Sequence, residues 1–115
     1  MDIERVPGNY PDVTVFRLKG PFTLATLFPF QTALRDPSLK SAIIDLKGVP
    51  YMDSAALGVL LAHFAHAMRH GTRYALVGIT PRVMTIFEIT HTDTILPILP
   101  TQEDAEKVFV RTATA

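Results

Sequence analysis

The sequence predicts an α/β fold with four to five strands in a mostly parallel sheet and about four helices. Three observations lead there. Short apolar runs alternate with segments whose apolar residues recur every three or four positions. Two of those runs, Ala42–Leu46 and Arg73–Val77, are almost continuously apolar, as strands covered by helices on both faces are. Pro and Gly stand between the segments rather than inside them, so they read as boundaries.

The elements follow in order. Ile3–Val6 is a short strand candidate, and Pro7-Gly8-Asn9 is the turn that returns it along Val13–Leu18. There, Val13, Val15 and Arg17 alternate with Thr14, Phe16 and Leu18. Lys19-Gly20-Pro21 ends the second strand. Thr26 is the expected N-cap of a first helix, with Pro29 in its first turn and Leu27, Phe30 and Leu34 as its apolar stripe. Asp36-Pro37-Ser38 ends it. After the strand at Ala42–Leu46, a helix from about Ser54 to Arg69 places Leu57, Leu60, Leu61, Phe64 and Met68 at helical spacing, and Gly71 stops it. Pro81 opens a third helix with Val83, Ile86 and Phe87 inward. Ile95–Leu99 is strand-like but holds Pro97, which assigns it to a sheet edge. Thr101 caps a last helix, with Glu103 and Asp104 in its first turn. Residues 111–115 are expected to fray. The whole chain, 1–115, reads as one domain with a core from about residue 3 to 110.

Composition narrows the function classes. The 115 residues carry 11 basic and 11 acidic side chains, so no charge excess points to direct nucleic-acid binding. There is no cysteine, which excludes a disulfide framework, a thiolate metal site and a Cys nucleophile. The N-terminus has neither the basic start nor the apolar run of a signal peptide, and no apolar stretch approaches the ~20 residues of a membrane span. A cytoplasmic location without membrane insertion is therefore expected. Charged residues make up 19%, below the usual ~25%. The surface must carry more apolar area than average, which suggests a partner.

In mostly parallel α/β sheets, functional groups lie at the carboxyl ends of the strands. The loop from Lys47 to Ser54 is thus the place to look. Asp53 and Ser54 sit at a strand–loop–helix junction. Either can be a plain N-cap. A hydroxyl there is also exposed, and a phosphate on it is tolerated by the helix N-terminus.

The set Asp45-Leu46-x-x-Val49-x-x-Met52-Asp53-Ser54-x-x-Leu57-Gly58-x-Leu60-Leu61 resembles the signature of the STAS domain family, and within it the bacterial anti-sigma factor antagonists. The resemblance continues through Leu18-x-Gly20, His70-Gly71-x-x-Tyr74-x-Leu76-Val77-Gly78, Val83-x-x-Ile86-Phe87 and Thr101 to Val108. It implies a switch rather than an enzyme. In such antagonists, the serine at the Ser54 position is phosphorylated by an anti-sigma factor with serine kinase activity. The unphosphorylated form binds that kinase and frees a sigma factor, and a PP2C-type phosphatase restores it. The resemblance implies neither a cofactor nor a metal. Two departures stand out. Pro21-Phe22-Thr23 occupies a place where an acidic residue is common, and Ala55-Ala56 follows Ser54 where a hydroxyl residue and Gly are frequent. Ser54 is thereby the one hydroxyl in its turn.

By helical angle, Ala55, Val59, Ala62, His63 and His66 oppose the Leu57, Leu61, Phe64, Met68 side, and no Glu, Lys or Arg interrupts that outer face before Arg69. It reads as a docking face, with Asp53, Ala55, Ala56, Gly58, Val59, Ala62 and His63 as partner contacts. The competing reading is a face covered by the chain's own loops. Met52-Asp53-Ser54-Ala55-Ala56 is not a Gly-x-Ser-x-Gly elbow, and no Gly-rich phosphate loop with Lys is present. His63, His66 and His70 lack a nearby fourth ligand and read as solvated or partner-facing; His91 reads as exposed. A phosphorylation-independent STAS subunit or scaffold, in a transporter or signalling assembly, is the alternative function.

Overall fold

The computed structural model describes residues 1–114, with side chains through Arg111. Its order is β1 (Asp2–Pro7), β2 (Val13–Lys19), α1 (Phe28–Ala33), β3 (Ser41–Gly48), α2 (Ser54–His70), β4 (Arg73–Val77), α3 (Pro81–Ile89), a 3-10 turn (Thr92–Thr94), β5 (Ile98–Leu99) and α4 (Gln102–Thr114). The strands form one five-stranded sheet in the order β1-β2-β3-β4-β5. β1 pairs antiparallel with β2, and every later neighbour is parallel. The expected α/β class and sheet are those of the structure.

Strand alternation divides the core in two. Phe16, Leu18, Ala42, Ile44, Leu46, Tyr74 and Leu76 face one way and pack with α1, α2 and α3 through Phe30, Leu60 and Phe87. Val13, Val15, Ile43, Ala75 and Val77 face the other way, where Ala105 and Phe109 of α4 cover them. Glu106 of α4 is also buried. Its carboxylate accepts from Asn9 N at 2.7 Å, Asn9 Nδ2 at 3.0 Å, Tyr10 N at 3.4 Å and Gln102 Nε2 at 3.2 Å. These bonds anchor α4 to the β1–β2 turn.

Several local expectations need correction. Thr26 does not cap α1, whose N-cap is Leu27 with no side-chain bond. Thr26 Oγ1 instead accepts from Thr23 N at 2.9 Å and donates to Pro21 O at 2.7 Å, so the hydroxyl closes the preceding turn. Met68 is 67% exposed, because Ala67 takes the inward position near the end of α2. β5 spans only Ile98–Leu99. Pro97 lies before it and supplies its carbonyl to Leu76 N at 2.9 Å, while Ile95 closes the 3-10 turn. α4 continues through Thr114 where fraying is expected from 111; Ala115 lies outside the described residues.

Candidate functional site: the α2 N-terminus and the α1–α2 groove

The loops after β2 and β3 run side by side beyond the sheet. Gly20 N donates to Gly48 O at 2.9 Å, Phe22 N to Tyr51 O at 3.1 Å and Asp53 N to Phe22 O at 3.3 Å. Phe22 and Met52 form a parallel bridge. The Phe22 side chain is fully buried and meets Phe30 edge-on, with ring centres 5.0 Å apart. An apolar anchor thus fixes the backbone that leads into α2.

Asp53 is the N-cap of α2. One carboxylate oxygen accepts from Ala56 N at 2.9 Å and the other from Leu24 N at 2.9 Å. These bonds favour the charged form and hold the carboxyl below its ordinary 3.8. Asp53 therefore ties α2 to the segment after β2 and stays ionised at neutral pH. Ser54 is the first residue of α2 and is exposed. Its hydroxyl makes no hydrogen bond among the described residues. With both Asp53 oxygens on backbone amides and no histidine bonded to Ser54, no Ser–His–carboxylate chain forms among these residues. Beside this turn the surface is apolar: Leu24 is 62% exposed and Tyr51 44%. The Arg82 guanidinium sits 5.6 Å from the Tyr51 ring centre.

From Ala55, the outer face of α2 continues as one wall of a groove. Gly58, Val59, Ala62, His63 and His66 extend it, and Gln31, Leu34 and Arg35 from the α1 region form the facing wall. The groove holds about 490 Å³. A smaller cleft continues it past His63, Ala67 and His70 towards Thr72. His63 packs its ring edge-on to Tyr74, centres 4.7 Å apart, and lies 6.5 Å from Phe30. Burial, and then the charge of His66, pushes its pKa down from 6.5 to about 4, so the ring is neutral at pH 7. Its Nδ1 and the Tyr74 hydroxyl are buried with no hydrogen-bond partner. Burial pushes the Tyr74 hydroxyl's pKa upward.

A profile of the STAS domain matches residues 5–105. The chain belongs to the STAS domain family. Solved structures share its fold at low identity. A proposed anti-sigma factor antagonist from Thermotoga maritima is 20% identical with a TM-score of 0.82, over 91% of this chain and 92% of that one. An anti-sigma factor antagonist from Mycobacterium paratuberculosis is 23% identical with a TM-score of 0.80, over 93% of each chain. A sulfate transporter family protein from Wolinella succinogenes is 18% identical with a TM-score of 0.73, over 84% and 83%. The same fold thus occurs in proteins with different names, so only the site can argue for a function.

Within this STAS domain, the residues expected to form the contact face divide into three groups. Ser54, Gly58 and Ala62 are exposed, and Asp53, Ala55, Val59 and His63 are partly covered. Ala56 is a correction: its side chain is fully buried in the main core and cannot meet a partner. Its angle on the helix lies next to Leu57 and Leu60, which set the inward stripe. His63 is not a free surface ring, since Phe30 and Tyr74 cover one side of it. The outer face is also not bare, because the α1 region forms the opposite wall. The periodicity of α2 carries no sign of that wall, which exists only because α1 folds back beside it. Phe22, Leu24 and Arg35 were not singled out for these positions. Among the described residues, no three His, Asp or Glu side chains come together as a metal-binding set. Among the described residues, no helix is long and apolar enough to cross a membrane.

Proposed function

We propose that this STAS domain is an anti-sigma factor antagonist whose α2 N-terminus docks on an anti-sigma factor with serine kinase activity, and that phosphorylation of Ser54 releases it. A PP2C-type phosphatase resets the switch. The observation that carries this reading is the Ser54 hydroxyl, exposed and unbonded at the first position of α2, next to a carboxylate already consumed by backbone amides. Ser54 can react without disturbing the cap that holds its loop. Beside it Leu24 and Tyr51 are exposed and Ala55 is partly so, with the Arg82 guanidinium over the Tyr51 ring. A phosphate adds about −1.5 to −2 charge and three acceptors. Covered by a partner, the phosphate would lose the water it demands, so the complex opens while the domain stays folded. Asp53 positions the turn in this reading and takes no part in catalysis. At Pro21-Phe22-Thr23, where an acidic residue is common, the loop is fixed by the buried Phe22 and its backbone bonds.

The test combines mass and affinity. After incubation with a serine-kinase anti-sigma factor of the host and ATP, intact mass and peptide mapping should find one phosphate on Ser54. Ser54→Ala should bind that kinase and accept no phosphate. Ser54→Asp should bind more weakly by over ~1 kcal/mol, from repulsion and desolvation. Equal affinity for wild type and Ser54→Asp, with no phosphate on Ser54, would instead favour a phosphorylation-independent STAS subunit or scaffold.

A further inference from the structure

Two clefts of similar size flank the sheet. One lies at the N-terminus of α4, holds about 500 Å³ and includes Arg17, Asp45, Lys47 and Gln102. Its lining carries both signs of charge, with Asp45 and Glu103 beside Arg17 and Lys47. Arg17 Nη1 is 3.4 Å from Glu4 and Nε 4.0 Å from Asp45, and Asp45 also accepts from the Lys47 backbone N–H at 2.9 Å. The α1–α2 groove differs. Its base is apolar, with Leu34, Ala55, Val59 and Ala62. Its polar lining is Gln31, Arg35, His63 and His66, with no Asp or Glu. The neighbouring Asp36 is already engaged by Arg5 at 2.7 Å and by Ser38. The Arg35 guanidinium has no ion-pair partner among the described residues.

An apolar cleft of a few hundred Å³ with a few convergent polar groups is the usual form of a small-ligand site. The uncompensated cation at its rim selects the sign of the ligand's charge. We propose that the groove between α1 and α2 binds a small amphiphilic carboxylate, its alkyl body along Ala55, Val59 and Ala62 and its carboxylate on Arg35. The fork of Arg35 suits a carboxylate, which it can hold through two parallel N–H···O bonds. Gln31 and the exposed His66 add further donors at the same rim. The fixed His63 ring, wedged against Tyr74, gives the base a firm surface. The groove begins at Ala55, the residue after Ser54, so a bound ligand lies beside the proposed docking turn.

The inference does not depend on the reading of Ser54, because its test contains no kinase and no ATP. The full chain, labelled with nitrogen-15, is titrated at pH 7 with octanoate well below its micelle concentration. The expected result is saturable shifts at Ala55, Gly58, Val59 and Ala62, with Kd at or below roughly 1 mM. Arg35→Gln should weaken binding about tenfold, and uncharged 1-octanol should bind wild type about tenfold more weakly than octanoate. Ala62→Phe, which fills the groove from an exposed position, should abolish saturation while the remaining spectrum is retained. Shifts that stay linear, that centre on Leu24 and Tyr51, or that are equal for octanol and octanoate would overturn the proposal. So would an unchanged affinity in Arg35→Gln.

Discussion

The two faces of the sheet are closed by different means. On one face, three helices meet a large apolar cluster in which Phe22, Phe30, Leu60 and Phe87 are fully buried. On the other, α4 alone covers a smaller cluster, and a buried Glu106 stitches it to the β1–β2 turn through Asn9 and Tyr10. The outward sides differ in the opposite sense. α4 is solvated by charge, with Glu103 and Lys107 paired at 3.2 Å. α2 exposes Ser54, Gly58 and Ala62 beside a groove. The face with the larger apolar cluster leaves the first turns of its helix exterior, from Ser54 to Ala62, free of charged side chains. The face covered by one helix adds a buried polar anchor, and its helix exterior mixes the Glu103–Lys107 pair with exposed Val108 and Val110.

Perturbing each face should sharpen that contrast. Phe30→Ala removes a buried ring from between Phe22 and His63 and should cost about 3–5 kcal/mol in urea unfolding. Glu106→Ala strips acceptors from the Asn9 and Tyr10 amides and should cost about 2–3 kcal/mol. A larger loss from Glu106→Ala than from Phe30→Ala would break the assignment of the apolar face as the principal source of stability.

A smaller effect is expected at Asp53. Asp53→Ala removes the N-cap and the tie to Leu24 and should cost about 1–2 kcal/mol. Amide exchange should quicken at Leu24 and Ala56 and stay unchanged at Asn9 and Tyr10. Equal changes on both faces would mean that the two are not independently held.

An effect of similar size concerns pH. His63 is neutral in the folded chain down to about pH 4, whereas an unfolded histidine takes its proton near 6.5. Between those values the unfolded chain binds more protons, so stability falls as pH drops from 6.5 towards 4. Because one side of the ring meets the groove, the loss should be about 1–2 kcal/mol rather than the full value of the shift. His63→Phe, which keeps the contacts to Phe30 and Tyr74, should flatten that part of the curve. The stabilisation from Asp53 is lost only below its ordinary 3.8, in a separate window. A His63→Phe profile as steep as wild type would assign the dependence to other groups.

Much of the molecule was legible in its residues. The apolar runs of β3 and β4, Gly71 after α2, where the backbone turns left-handed at φ 70°, and the Thr101 cap of α4 are local signals. Each follows from side-chain alternation, backbone freedom or hydrogen bonding within a few residues. Asp53-Ser54 at the head of α2 was legible in the same way. Other features are not local. Thr26 is a good cap by type, but a competing bond to Pro21 O takes its hydroxyl away from α1. Met68 and Ala67 are both apolar, and only the course of the sheet beneath α2 decides which is covered. Ala56, by contrast, could have been read locally, because its helical angle lies beside Leu57 and Leu60 on the inward stripe.

The sequence by itself determined the element order, the parallel sheet, the two-sided core and the switch candidate at Ser54, because these rest on periodicity and on spacing along the chain. Tertiary structure alone decided that Phe22 anchors the loop ahead of Ser54, that Glu106 closes the far face across nearly the whole chain, and that α1 turns the outer side of α2 into a groove. Those contacts join residues far apart in sequence, where no local pattern records which surfaces will meet.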